Sequence, residues 1–306
     1  MFNEERKLKF LEETRASKEY GISAFNASAP AEEAEGKDLC ELDAETIQGL
    51  FDKSFGVRKR ATESAITFMQ SYVKWCKDHG FPTADSVFGL EIDISQKIRR
   101  TMVASPMHLQ SILDQVFPPV EEETVDCIYR CYLWMVFAGV READTVDVNV
   151  SDVDLETFTV HVGEKSFDIF REAIPAFRMA CNATEFAYIH PKYRTMRNRF
   201  PGDKLMRGVR SDHVKLETVR PYVKKKLSEH GFDLSQRRVH LSGIFYKAFE
   251  AERCGFGVNF DDAVVEQLMS TQRTYGPNYT RGKAANMILR DFQDDYERWK
   301  KAFATE

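Results

Sequence analysis

Residues 121–170 read EEETVDCIYRCYLWMVFAGVREADTVDVNVSDVDLETFTVHVGEKSFDIF, and the spacing of their apolar positions changes once. From Glu122 to Ala138 the stretch is apolar nearly all round, which predicts a helix buried on every side and hence the centre of a domain. After Gly139 the period drops from 3.6 to 2. TVDVNV, FTVHV and SFDIF alternate, separated by the turn-forming stretches SDVDLE and GEK, which predicts a three-stranded antiparallel sheet with short connections.

Outward from that stretch the pattern is helical. Upstream, LDAETIQGLFDKSF and ATESAITFMQSYVKWCKDHG (closed by Gly80) predict two amphipathic helices, with Phe68, Tyr72, Trp75 and Cys76 as a core stripe on the second. HLQSILDQVF predicts another, ended by Pro118 and Pro119. Downstream, REAIPAFRMACN, ETVRPYVKKKLSEHG, LSGIFYKAFEAERCG, DDAVVEQLMS and AANMILRDFQDDYERWKKAF all read as helices. The first twenty residues have helical spacing, whereas ASAPAEEAEG, small and acidic, reads as a linker. The expected fold is therefore mainly α with one small three-stranded antiparallel sheet. Its expected segments are 1–37 as helix and linker, 38–104 as a small helical domain and 105–306 as a larger one.

A chain of 306 residues suits about two domains of roughly 150 residues each. No apolar run approaches the roughly 18 residues that span a bilayer, and the charged first segment lacks a signal-peptide core, so a cytoplasmic protein is expected. The six cysteines form no CxxC pair, and neither a metal site, a disulfide framework nor a cofactor is expected. The net charge of −5 argues against a polyanionic partner, but its distribution argues the other way. Residues 190–226 hold twelve basic and three acidic residues, a local +9 that leaves −14 for the remainder. A concentrated basic region on an acidic chain suits phosphate binding. The candidate DNA contacts are Lys192, Arg194, Arg197, Arg199, Arg207, Arg210, Lys224, Lys225 and Lys226, although a solvated basic loop would look the same.

The order of buried helix, Ala-Gly-Val-Arg-Glu, hairpin with a turn lysine and following helix resembles the start of the catalytic domain in tyrosine recombinases, the phage-integrase family. Gly139, Val140 and Arg141 match the box carrying the first catalytic arginine, with Asp144 at its acidic position, and Lys165 falls where the family's hairpin lysine falls. Residues 38–100 resemble the family's helical core-binding domain. The resemblance implies a double-stranded DNA partner and no cofactor. It also implies a tetramer on paired DNA sites for an active enzyme. The implied reaction is attack of a tyrosine hydroxyl on a DNA phosphodiester. Arginines stabilise the charge on the phosphate oxygens, and a lysine or histidine protonates the leaving oxygen.

The later motifs depart from the family pattern. The second box, His-x-Leu-Arg, corresponds to Arg237-Arg238-Val239-His240-Leu241-Ser242-Gly243. One alignment puts Arg237 at the histidine and His240 at the arginine; the other puts His240 at the histidine and Gly243 at the arginine. Neither keeps the second arginine in place. In the third box, LMSTQRTYGPNYTR puts Ser270 at the histidine and Tyr279 at the nucleophile, with Tyr275 and Tyr296 as rivals. The candidate catalytic set is therefore Arg141, Lys165, Arg237, His240 and Tyr279. Three readings follow: a site-specific recombinase, a homologue that binds DNA without cutting it, or a helical protein-interaction scaffold that never touches DNA. Each residue also has a structural explanation; Arg141, for example, could simply cap the buried helix.

Overall fold

A computed structural model describes residues 1–14, 16–190, 192–271 and 281–304. The helices are α1 (Glu4–Glu13), α2 (Lys18–Glu35), α3 (Ala44–Lys53), α4 (Lys59–Asp78), α5 (Ser95–Thr101), α6 (Pro106–Val116), α7 (Cys127–Ala138), α8 (Glu142–Thr145), α9 (Ile174–Asn182), α10 (Leu216–Glu229), α11 (Gln236–Arg253), α12 (Asp261–Thr271) and α13 (Arg281–Phe303). The strands are β1 (Val153–Asp154), β2 (Thr159–Val162), β3 (Lys165–Asp168), β4 (Glu185–His190) and β5 (Tyr193–Asn198). The chain is thus mainly helical, as its periodicity predicts. It divides into two compact units, Met1–Ile98 with Val264–Glu306, and Arg99–Ala263. No described helix is long and apolar enough to cross a membrane.

In the first unit, α4 supplies the stripe that its spacing predicts: Phe68, Tyr72, Trp75 and Cys76 are all buried. Phe10 of α1 and Phe25 of α2 meet Tyr72 edge-on, at ring separations of 5.1 and 4.9 Å. The N-terminal segment is therefore part of this core. ASAPAEEAEG is helix, not linker. Ser17 caps α2 at the start by accepting from the Tyr20 amide, and Gly36, at φ 63°, closes it. Its alanines and glutamates are strong helix formers, and its small residues let α2 pack closely. At the other end of the chain, α13 belongs to this unit and not with the rest of residues 105–306. Asp295 accepts from Arg58 Nε at 2.9 Å and from the Lys59 amide at 2.8 Å at the start of α4.

The second unit is built around α7, where every residue except Tyr129 is buried. α11 and α9 pack against it. β1, β2 and β3 form the expected antiparallel sheet, in that order, with Val162 opposite Lys165 across the turn. The first strand differs from expectation. TVDVNV is not a strand; β1 lies two residues long in the stretch read as a turn. The alternation in TVDVNV loses to local side-chain bonds, in which Asp152 accepts from the Asn149 amide at 2.8 Å and Thr145 donates to the Glu142 carbonyl at 2.7 Å. The basic segment, read as irregular, contains a second sheet, the antiparallel pair β4–β5.

Candidate functional site

Arg141 owes its position to the end of α7. Gly139, at φ 100°, turns the chain in a conformation that side-chain-bearing residues rarely adopt, and the Val140 amide donates back to the Met135 carbonyl at 2.9 Å. The chain leaves extended at Arg141, which precedes α8. Its exposed guanidinium forks onto Asp144, with Nε 2.6 Å from Oδ2 and Nη2 2.9 Å from Oδ1. Arg141 is therefore not buried against a helix-end carbonyl. It lines an open cleft of about 500 Å3 together with Asp144, Asp147, Asp152, His161 and Gly163.

Gly163 brings the β2–β3 turn to this cleft. Lys165 is exposed at the start of β3 but is not among the lining residues. His161, which sequence reading passed over, does line it. It stands next to buried Val160 in the alternating FTVHV and pairs with Ser166 Oγ at 2.9 Å. Three carboxylates and one arginine give the cleft a charge that opposes a phosphate instead of clamping it.

Glu142, beside Arg141 in sequence, makes a separate cluster. Its Oε1 accepts from Tyr132 Oη at 2.5 Å and Arg220 Nε at 2.7 Å, and Oε2 accepts from Arg220 Nη2 at 2.6 Å. Burial pushes this carboxyl up, but the hydrogen bonds from Arg220 and Tyr132 and the charges of Arg220 and His240 outweigh it and hold the group below its ordinary 4.5. His240 is thus within electrostatic reach of Glu142. A carboxyl depressed in the folded state stabilises the protein above its unfolded value and loses that contribution as pH falls through the folded value. Acidification from pH 7 to below pH 4.5 should therefore lower the urea midpoint of wild type more than that of Glu142→Gln. Equal losses would show that this cluster carries no pH-dependent stability.

On α11, started by the Ser235 cap, Arg237 is exposed and His240 half-buried. Arg238 lies 3.5 Å from Asp233. Buried Ser242 accepts from the Val103 amide at 2.9 Å. Gly243 faces α7 so closely that an added Cβ would lie 1.7 Å from the Phe137 carbonyl oxygen. An arginine would not fit at position 243, and on either alignment the second box has no arginine in its usual place. Tyr275 and Tyr279 lie outside the described residues. Tyr296 is buried and stacks on Trp299 at 6.3 Å, a packing role.

Of the candidate DNA contacts, Lys192, Arg194, Arg197, Arg210, Lys224 and Lys225 are exposed, and Arg207 and Lys226 half-buried. Arg199 is corrected. It is 6% exposed, and its guanidinium donates to the carbonyls of Ala180, Ala183 and Leu205. Burial, then the nearby Arg207, pulls its pKa down to about 10. A side chain so enclosed ties loops together and cannot reach a phosphate. Among the described residues one group has metal-ligand chemistry, Asp38, Cys40 and Cys76, with ligand atoms within 4.8 Å of one another. Arg6 Nη1, 3.5 Å from Asp38, opposes a cation there.

Residues 1–78 match the family model described as "MrpR, N-terminal core-binding domain", a domain of the tyrosine recombinase family. The match begins at residue 1, in agreement with the packing of α1 and α2. Curated proteins give no match. Two solved structures are similar at low TM-scores. "Crystal structure of XerA recombinase" has a TM-score of 0.36 and 13% identity, over 90% of this chain and 98% of that one. "Integrase from mycobacterium phage Brujita" has a TM-score of 0.35 and 14% identity, over 98% of this chain and 92% of that one.

Proposed function

We propose that this chain, with a core-binding domain at its N-terminus, is a recombinase-like protein that binds double-stranded DNA without cutting it. The observation that carries the binding is the charge distribution: a +9 segment on a chain of net −5, with Lys192, Arg194, Arg197, Arg210, Lys224 and Lys225 exposed. Cations that neutralise phosphates release counterions, so log affinity falls linearly with log salt, by about 0.9 per phosphate contacted. The cleft argues against cleavage. Arg141 is forked onto Asp144, Asp147 and Asp152 stand beside it, and neither alignment of the second box keeps a second arginine in place. Stabilising charge on a phosphate in flight needs converging donors that are fixed beforehand.

The test is incubation with nicked suicide duplexes, resolved on denaturing gels. The expected result is salt-sensitive binding with no covalent adduct, and a shallower salt slope when Lys224, Lys225 and Lys226 are replaced by alanine. An adduct that disappears in Tyr279→Phe would instead establish an active recombinase, the second reading, and with it the implied assembly on paired sites. Absence of any duplex binding would leave a helical interaction scaffold.

A further inference from the structure

We infer that the β4–β5 ribbon enters a groove of the DNA and contributes sequence preference, an inference that rests on the DNA-binding reading above. The ribbon has six cross-strand pairs, from Glu185↔Asn198 to His190↔Tyr193. Its base is fixed. Phe186 and Ala187 are buried, and the Ala187 amide donates to the Glu123 carbonyl at 2.9 Å. Beyond that base the ribbon stands exposed, with Tyr188 at 42%, Ile189 at 49% and Tyr193 at 52%. A two-stranded ribbon with half-exposed tyrosines is marginal in water, so such an arm calls for a partner surface.

The register says which side chains act together. Tyr188 faces Thr195 and lies diagonal to Arg197, and side chains alternate along each strand, so Tyr188, Tyr193, Thr195 and Arg197 share one face. The Arg197 guanidinium sits 4.3 Å over the Tyr188 ring, and the two tyrosine rings are 6.4 Å apart. The face therefore offers three hydroxyls, two flat rings and a cation held by stacking. Residues 185–198 contain Lys192, Arg194 and Arg197 against Glu185 alone, so the ribbon complements a polyanion. The major groove, about 12 Å wide, admits a two-stranded β-ribbon and displays donors and acceptors that hydroxyls and guanidinium groups can read. Lys224 and Lys225, on α10, supply cations without a comparable aromatic face.

The experiment uses the full chain and two probes: a random-sequence duplex pool, and the duplexes that wild-type protein enriches from it. The variant is Tyr188→Ser/Tyr193→Ser/Arg197→Ser, with its fold checked by thermal unfolding. Random-pool binding should weaken by no more than about tenfold, its salt slope falling by about one unit for Arg197. The preference for enriched over random duplex should collapse by at least about tenfold, corresponding to loss of one or more base contacts. Unchanged preference in the variant overturns the inference while leaving DNA binding in place. So does a change confined to sedimentation behaviour, which would make the ribbon a contact between copies of this chain. If wild type binds no duplex at all, the DNA-binding reading fails first and the ribbon inference falls with it.

Discussion

Glu32→Ala should destabilise the N-terminal unit by about 3–5 kcal/mol, the range for removing one partner of a buried ion pair. Lys7 and Glu32 are both fully buried, with Nζ 2.5 Å from each carboxylate oxygen. The carboxylate also accepts from Ser28 Oγ at 3.0 Å and from the Leu39 amide at 2.6 Å. Alanine would leave an ammonium in an aromatic core, 5.0 Å from the Phe25 ring centre, together with an amide stripped of its acceptor. Urea unfolding followed by circular dichroism measures the loss. The double variant Lys7→Met/Glu32→Leu should recover most of it, because apolar residues of similar size often replace such a pair at little cost. A loss under about 1 kcal/mol for the single variant would place the pair in the range of exposed ion pairs and contradict its burial.

The same pair explains why the N-terminal segment was misread. Lys7 and Glu32 are 25 positions apart, and nothing local marks either as buried. In the sequence, α2 offers alanines, serines and Pro30 where a helix facing a core usually shows large apolar residues. The segment packs through Phe25 and through small side chains that allow close approach. By contrast, α7 was legible because a stretch apolar on all sides has few other places to go. The β4–β5 ribbon was hidden for the opposite reason. β5 is exposed along its whole length, so no buried face imposes apolar-polar alternation on it.

Motif order singles out Arg141 and the hairpin turn, and Arg141 and Gly163 line one cleft. It does not single out the neighbours that set the charge of the site. Arg220 meets Glu142 across 78 residues, and Asp147, Asp152 and His161 come together only through the sheet and its approach. Motif spacing can say which cation should face a phosphate, but the acids that accompany it depend on tertiary placement.

Gly243→Ala should be the most damaging single-methyl change in the second unit. An added Cβ would lie 1.7 Å from the Phe137 carbonyl oxygen, 2.6 Å from its carbon and 3.1 Å from its Cα. These are backbone atoms of α7, so no rotamer relieves the clash and the two helices must separate. Alanine regains about 1 kcal/mol of helix propensity over glycine, but overpacking costs about 1–3 kcal/mol and more when backbone must move. Gly21→Ala provides the control. There the obstruction is Leu11 Cδ2 at 2.3 Å, the end of a side chain that can rotate, and the net change should be within about 1 kcal/mol of zero. Denaturant midpoints should therefore fall sharply for Gly243→Ala and barely for Gly21→Ala. Because α11 also carries Arg237 and His240, moving it off α7 shifts His240 relative to Glu142 as well. Equal midpoints for the two variants would mean that the α7–α11 contact yields easily. Room for a side chain at position 243 would then exist.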